Sequence, residues 1–157
     1  MSKSHTLVIG LGNPILGDDG VGWIIAEKLS KLLSSRTDLE FDFLSLGGLA
    51  LMERLEGYEK VFIIDAICSG DQSKGSIHYF PLNELLNRSA GHTSSAHDTN
   101  LRTALEVGRS MDIDLPREDN IFIIGIEAEN VYDFSEDLSP EVLKVIPDAI
   151  ELLLSVI

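Results

Sequence analysis

Two wholly apolar runs of four residues, 61–64 (V-F-I-I) and 121–124 (I-F-I-I), constrain the fold of this chain most strongly. A strand with apolar side chains on both faces is expected in the middle of a sheet that is covered on both sides. A further buried run, 6–9 (T-L-V-I), lies near the start of the chain. Segments with apolar residues at helical spacing alternate with these runs, which favours a mostly parallel sheet with crossover helices.

The remaining segments complete the order β-α-β-α-β-β-α-β-α. Residues 39–46 are predicted to form a half-buried strand, because apolar and acidic side chains alternate in its first part, and the glycines at 47–48 end it. The connection from 61–64 to the strand candidate 76–80 is too short for a crossover helix, so we predict an antiparallel strand near an edge. We therefore expect a three-layer α/β fold, in which helices cover both faces of a mostly parallel, twisted sheet of about five strands.

The second half of the chain contains two helical patterns. Residues 87–100 are polar and loop-like, and helical spacing begins at Leu101. Ser139, Pro140 and Glu141 have the character of a helix cap, a first helical position and a first-turn acid. Pro147 lies within this closing helix, where we expect a kink or a restart.

Length and composition indicate one soluble domain spanning residues 1–157. The chain is 44% hydrophobic and 24% charged, and no apolar run approaches the roughly 18 residues of a membrane span. Residues 1–6 lack the apolar core of a signal peptide, and the single cysteine, Cys68, cannot form an internal disulfide, so we expect a cytoplasmic protein. The net charge of −14 argues against nucleic-acid binding, because such a surface repels phosphates.

Residues capable of chemistry follow three of the predicted strands. The glycine-rich segment 10–22 carries Asp18 and Asp19, Asp65 follows the run 61–64, and His97 lies in the polar segment before Leu101. Ligands bind beyond the carboxyl ends of the strands in such sheets, so we expect Asp19, Asp65 and His97 to converge on one crevice. Asp18 is assigned to supporting the loop.

Each of these residues also has a structural interpretation. Asp18 and Asp19 resemble ordinary turn or cap residues, and Asp65 could cap the backbone near Ser69. His97 alone is typical of a surface loop, and His92 competes for any role.

Three other candidates are weaker. His5 and His78 are expected to be structural or solvent-exposed. Cys68 lies close after Asp65 but has no evident histidine partner, and a small buried thiol is the expected state.

As a metal site, Asp19, Asp65 and His97 offer two oxygen ligands and one nitrogen ligand. This set suits a borderline divalent ion such as zinc or nickel and leaves room for water or substrate. The H-E-x-x-H signature of zinc proteases is absent from the sequence. The start G-x-G fits a dinucleotide fingerprint poorly, because Ile15 stands where the third glycine belongs, and no lysine follows to make a P-loop.

The segment G-L-G-N-P-I-L-G-D-D-G-V-G resembles the N-terminal signature of the hydrogenase maturation endopeptidases, G-x-G-N-x-L-x-x-D-[DE]-G-x-G. Three further stretches are similar to that family: S-L-G-G-L-A at 45–50, V-F-I-I-D-A-I at 61–67, and S-A-H followed by Leu101. The tail from Gly125 through L-S-P at 138–140 also resembles the family's ending, so the similarity covers nearly the whole chain in order.

This resemblance implies a phosphorylase/hydrolase-like fold. It also implies a protease of aspartic type that removes the C-terminal extension of a nickel–iron hydrogenase large-subunit precursor. It implies that Asp19, Asp65 and His97 are the catalytic and metal-binding residues, with nickel supplied by the loaded precursor and no organic cofactor. Some relatives have glutamate at the position of Asp19. The segment 47–48 is a weaker candidate for placing the substrate.

Two alternatives remain open at this point. A peptidyl-tRNA hydrolase also begins with a strand and G-L-G-N-P, but its subsequent pattern of Tyr, Thr, Arg, His and Asn is missing, and the acidic surface suits tRNA poorly. A non-catalytic nickel-sensing partner of the large subunit would share the same sequence features.

Overall fold

A computed structural model describes residues 5–70, 72–84 and 96–157, without the side chains of residues 96–100. The five strands are β1 (Thr6–Leu11), β2 (Leu39–Leu44), β3 (Lys60–Ile67), β4 (Ile77–Pro81) and β5 (Ile121–Glu127). They form one sheet in the order β2-β1-β3-β5-β4. All neighbouring pairs are parallel except β4 and β5, which are antiparallel. The predicted α/β architecture and the antiparallel edge strand are therefore confirmed.

Within the described ranges, four α-helices cover the two faces of this sheet. They are α1 (Val21–Leu32), α2 (Gly48–Arg54), α3 (Ala96–Ser110) and α4 (Pro140–Val156). One face packs against α2 and α3, and there Ile63 of β3 shares a core with Leu51 and Leu101. The opposite face packs against α1 and α4, where Phe62 lies in the core that contains Ile25. Because successive residues of a strand point to opposite faces, both faces of the central strands must be apolar.

The start of α1 lies unusually close to the sheet. A β-carbon at Gly22 would lie 2.2 Å from the carbonyl oxygen of Ile64, and one at Gly10 would lie 2.7 Å from the carbonyl oxygen of Gly22. Only residues without a side chain permit this approach. The glycine-rich segment is thereby held against the carboxyl ends of β1 and β3.

Two strands extend further than their apolar runs predict. β3 continues to Ile67 and β5 to Glu127, because their ladder goes on through the pairs Asp65–Gly125 and Ile67–Glu127. Asp65 therefore lies within a strand, and the expectation that it directly follows one was wrong. It still lies in the carboxyl-terminal part of β3.

The second half of the chain also departs from expectation. Helix α3 begins at Ala96, so residues 96–100 are helical rather than part of a loop; the earlier part of the predicted loop, 87–95, lies outside the described residues. Helix α4 runs through Pro147 without a restart. Pro147 is exposed while Ile146 and Ala149 are buried, so packing of the inner face outweighs one lost hydrogen bond on the outer face. None of the helices in the described ranges has the length and apolarity needed to cross a bilayer.

Candidate active site

The segment that follows β1 folds back on itself around Asp19. A turn of 3-10 helix spans Gly17–Gly20, and Asn13 donates its backbone N–H to Oδ2 of Asp19 at 2.8 Å. Gly12 has a φ of +133°, and a β-carbon there would lie 2.1 Å from the carbonyl oxygen of Asp19. The half-buried carboxylate of Asp19 is thus fixed by the backbone of its own loop.

Asp18 points away from this loop and into the protein. Its side chain is fully buried, and it accepts hydrogen bonds from the backbone N–H of Ser139 at 2.7 Å and from Oγ of Ser139 at 2.6 Å. Ser139 is the cap residue of α4, as predicted, but its hydroxyl binds Asp18 and makes no capping bond to the helix. These contacts support the assignment of Asp18 as a residue that holds the loop in place.

Asp65 is a buried carboxylate in the central strand, with 1% of its surface exposed. Its Oδ1 accepts the backbone N–H of Ala66 at 2.9 Å. Strand alternation places its side chain on the same face as Ile63 and Ile67, which is the face covered by α2 and α3. Burial of a carboxylate is costly unless polar or cationic groups compensate it, and buried acids are common at functional sites.

His97 lies in the first turn of α3, the helix that packs on the face to which Asp65 points. At the other end of α3, Arg109 donates to the carbonyl oxygen of Pro116 at 2.9 Å, in the segment that leads into β5. A helix rises about 1.5 Å per residue, so residue 97 lies roughly 18 Å along the helix axis from residue 109. Residue 97 is therefore at the end of α3 opposite to the contact with Pro116. The side chain of His97 is outside the described part of the structure, and so is all of His92.

Cys68 follows the end of β3, and its thiol lies in an acidic environment. Burial raises its pKa first, and the charges of Glu127, Asp19, Asp65 and Asp18 raise it further. Carboxylates of the glycine-rich segment, of β3 and of β5 thus act on the same thiol. A thiol with a raised pKa is a poor nucleophile near neutral pH, which argues against cysteine catalysis. Cys68 as a whole residue is exposed, although its sulfur is partly shielded from water, so the prediction of a buried thiol was wrong.

Glu127 is a buried acid that the sequence analysis did not single out. It ends β5, with 2% of its surface exposed, and its Oε1 lies 3.2 Å from Nε2 of His78. Ser69 donates both its hydroxyl and its backbone N–H to the same carboxylate. The available signal was the acid that closes the apolar stretch I-F-I-I-G-I-E, just as Asp65 follows V-F-I-I.

The other two histidine candidates, His5 and His78, both lie among the described residues. His5 is mostly exposed and lies 3.3 Å from Glu59, in agreement with a structural or solvent-exposed residue. His78 is largely buried beside Glu127. Gly48, a weaker candidate for placing the substrate, begins α2 with a φ of +57°.

The donor atoms of the predicted set fit a borderline divalent ion, with two carboxylates and one imidazole. Within the ranges that the structure describes, no three His, Cys, Asp or Glu side chains form a group that could hold an ion. The predicted third ligand belongs to a residue whose side chain is not among those described.

The fold is that of a small α/β protein with a mostly parallel sheet, and its candidate acids lie toward the carboxyl ends of the parallel strands, where such folds bind ligands. Residues 25–156 match the model of the hydrogenase maturation protease family (HycI), and the chain therefore belongs to the hydrogenase maturation proteases. It is a hydrolase that acts on peptide bonds. This assignment decides against the peptidyl-tRNA hydrolase alternative.

Individual proteins show the same similarity. A putative hydrogenase maturation protease of Methanocaldococcus jannaschii is 29% identical, over 98% of this chain and 97% of that protein. The solved structure of the nickel–iron hydrogenase maturation protease HybD of Thermococcus kodakarensis is 27% identical, with a TM-score of 0.74 over 96% of this chain and 97% of that one. The hydrogenase maturating endopeptidase HybD of Escherichia coli has a TM-score of 0.77 at 23% identity, over 96% and 90% of the two chains, and shows the shared fold.

Proposed function

We propose that this protein removes the C-terminal extension of a nickel-loaded nickel–iron hydrogenase large-subunit precursor, using Asp19, Asp65 and His97. The family match supports the reaction class and the kind of substrate. The proposal also includes action in the cytoplasm, where the precursor would be assembled.

The site assignment is carried by two acids on contacting elements: Asp65 is buried in β3, and Asp19 lies in the 3-10 turn that packs against that strand. Both are held in place by backbone N–H groups, from Ala66 and Asn13 respectively. Both contribute to the negative field around Cys68 at the carboxyl edge of the sheet. Such a field attracts a cation and repels the anionic ligands that bind glycine-rich segments in nucleotide-binding proteins.

In this proposal nickel is part of the substrate, and the free enzyme holds no tightly bound metal. Two carboxylates and one histidine from three separate segments form a sparser set than a dedicated catalytic zinc site. The precursor would supply the remaining ligands, including cysteine thiolates. Docking through the ion would then place the C-terminal extension across the crevice.

The residues of this chain would act on the peptide by binding, orienting and proton transfer. A carboxylate within hydrogen-bonding reach of the attacking water can accept its proton, which is the chemistry of an aspartic-type peptidase. Asp65 and Asp19 are the candidates, because their own positions are fixed before substrate binds. His97 is assigned to the substrate's ion.

The test compares precursor with and without nickel. Enzyme purified free of metal is mixed with each precursor in the presence and absence of a chelator, and loss of the C-terminal extension is followed by mass. We expect cleavage only of the nickel-loaded precursor. Equal cleavage of nickel-free precursor with chelator present would refute nickel recognition, and activity restored by zinc on the enzyme alone would indicate a conventional metalloprotease.

A further inference from the structure

Two aromatic side chains on the segment after β5 are almost wholly exposed. Tyr132 is 85% exposed and Phe134 is 84% exposed, more than any other large hydrophobic residue among those described. We call residues 129–137 the aromatic loop. Large apolar side chains exposed together are a feature of protein-binding surfaces, where aromatic residues contribute most of the binding energy.

The aromatic loop is attached to the segment that carries Asp19. Gly17 donates its N–H to the carbonyl oxygen of Ser135 at 2.8 Å, and Ser135 donates to the carbonyl oxygen of Ile15 at 2.9 Å. At its other end, Asn130 accepts the N–H of Asp18 at 2.8 Å. The two aromatic residues lie between these anchors, so they project from a braced loop beside the candidate site.

Close packing fixes this arrangement further. Gly17 has a φ of +56°, and a β-carbon there would lie 2.7 Å from the carbonyl oxygen of Asn130. Ile15, whose carbonyl oxygen accepts the N–H of Ser135, is 46% exposed and presents a further apolar side chain on the glycine-rich segment. The exposed aromatics thus belong to one surface with the loop that holds Asp19.

The charge of the aromatic loop restricts the chemistry of its partner. It contains Glu129, Asp133, Glu136 and Asp137 and no lysine or arginine. Lys74 lies 3.8 Å from Glu129 and offsets that charge, while the other three acids are exposed. A complementary surface would present apolar side chains flanked by basic ones.

We propose that the aromatic loop is the docking surface for the large-subunit precursor, and that it binds an apolar, basic segment of that protein. This inference rests on the proposed function. In this proposal the aromatic loop contributes to the affinity for the substrate. Tyr132 and Phe134 bind the precursor surface, and the neighbouring acids orient it. The candidate site performs the hydrolysis.

The test uses two double variants, each with a matched control. Tyr132→Ser with Phe134→Ser is compared with Met111→Ser, which changes an exposed hydrophobic residue, 67% exposed, beyond the end of α3. Asp133→Lys with Glu136→Lys is compared with Glu106→Lys with Glu151→Lys, an equal change of charge at exposed positions of α3 and α4. Precursor cleavage gives KM and kcat, and precursor binding is measured separately as Kd.

We expect both loop variants to raise KM and Kd by about tenfold or more with little change in kcat, while the controls match the wild type. Raising the salt concentration should weaken precursor binding to the wild type more than to the lysine variant.

Normal cleavage with unchanged KM in the loop variants would overturn the docking proposal and leave the proposed function standing. If the wild type binds the precursor through the loop but does not cleave it, the proposed function fails and the docking surface stands. Loss of self-association in the loop variants, with unchanged precursor affinity, would assign the surface to a second copy of this chain and overturn the proposal.

Discussion

The buried carboxylate of Asp18 accepts two hydrogen bonds from Ser139, one from its backbone N–H at 2.7 Å and one from its hydroxyl at 2.6 Å. This contact joins the glycine-rich segment after β1 to the first turn of α4. The neighbouring Asp19 does not contribute to this contact, and its carboxylate accepts a hydrogen bond from the backbone N–H of Asn13. Adjacent acids therefore serve different purposes, one holding the loop and one presenting a carboxylate to the site.

Replacing Asp18 should lower stability more than it lowers processing. Asp18→Ala removes two bonds to a charged acceptor, and we expect the free energy of unfolding to fall by about 2 kcal/mol. Ser139→Ala removes only the hydroxyl bond and should cost about 1 kcal/mol. Urea unfolding measures both changes. A loss of processing in a fully folded Asp18→Ala protein would place Asp18 in the catalytic set.

Replacing Asp65 should abolish processing and leave the fold intact. Asp65→Asn keeps Oδ1, which accepts the N–H of Ala66, but removes the charge that the site requires. The measurement is the mass of the precursor after incubation, with circular dichroism as the control for folding. Processing at the normal rate would exclude Asp65 from the site.

Removal of the imidazole at position 97 should have the same outcome. His97→Ala removes the single nitrogen ligand of the proposed set, while alanine suits the first turn of α3. We expect an unchanged unfolding curve and no processing. His92→Ala is the matched control, since it removes the competing histidine; loss of activity there, with retention in His97→Ala, would exchange the two roles.

Asp19 should tolerate glutamate. Asp19→Glu keeps the charge and adds one methylene group, and the half-buried position allows limited adjustment. We expect processing to slow by less than about tenfold, which corresponds to about 1.4 kcal/mol in activation free energy. Asp19→Asn, which keeps the size and loses the charge, should abolish processing. Equal activity of these two variants would show that charge at this position is unimportant.

Tyr58 should make the free energy of unfolding depend on pH in the alkaline range. Burial, and then the hydrogen bond that its hydroxyl donates to Glu40, raise the pKa of Tyr58 from 10.0 to about 12. Because the folded state favours the protonated phenol, this contribution is complete below pH 10.0 and is lost as pH rises through about 12. In Tyr58→Phe, the free energy of unfolding should fall less steeply over this interval. Identical pH curves for both proteins would contradict the assignment.

The local sequence determined the elements and their order. Runs such as V-F-I-I and I-F-I-I can only be buried on both faces, so they predict central strands wherever the rest of the chain folds. The short link before β4 likewise predicts an antiparallel edge strand, and the glycine-rich motif predicts the family. Asp65 could be selected from the sequence because burying a charged residue at the end of such a run is costly in free energy without a partner or ligand.

The tertiary structure decided which distant residues meet. Asp18 and Ser139 are separated by most of the chain, and Glu127 meets Ser69 and His78 only because β5 lies between β3 and β4. The extension of β3 past Asp65 likewise depends on its ladder with β5. Local sequence patterns indicate whether a side chain will be buried. The residue that it contacts depends on strand order and close packing, which no short segment specifies. The exposure of Tyr132 and Phe134 was decided in the same way, by the bonds that hold the aromatic loop against the glycine-rich segment.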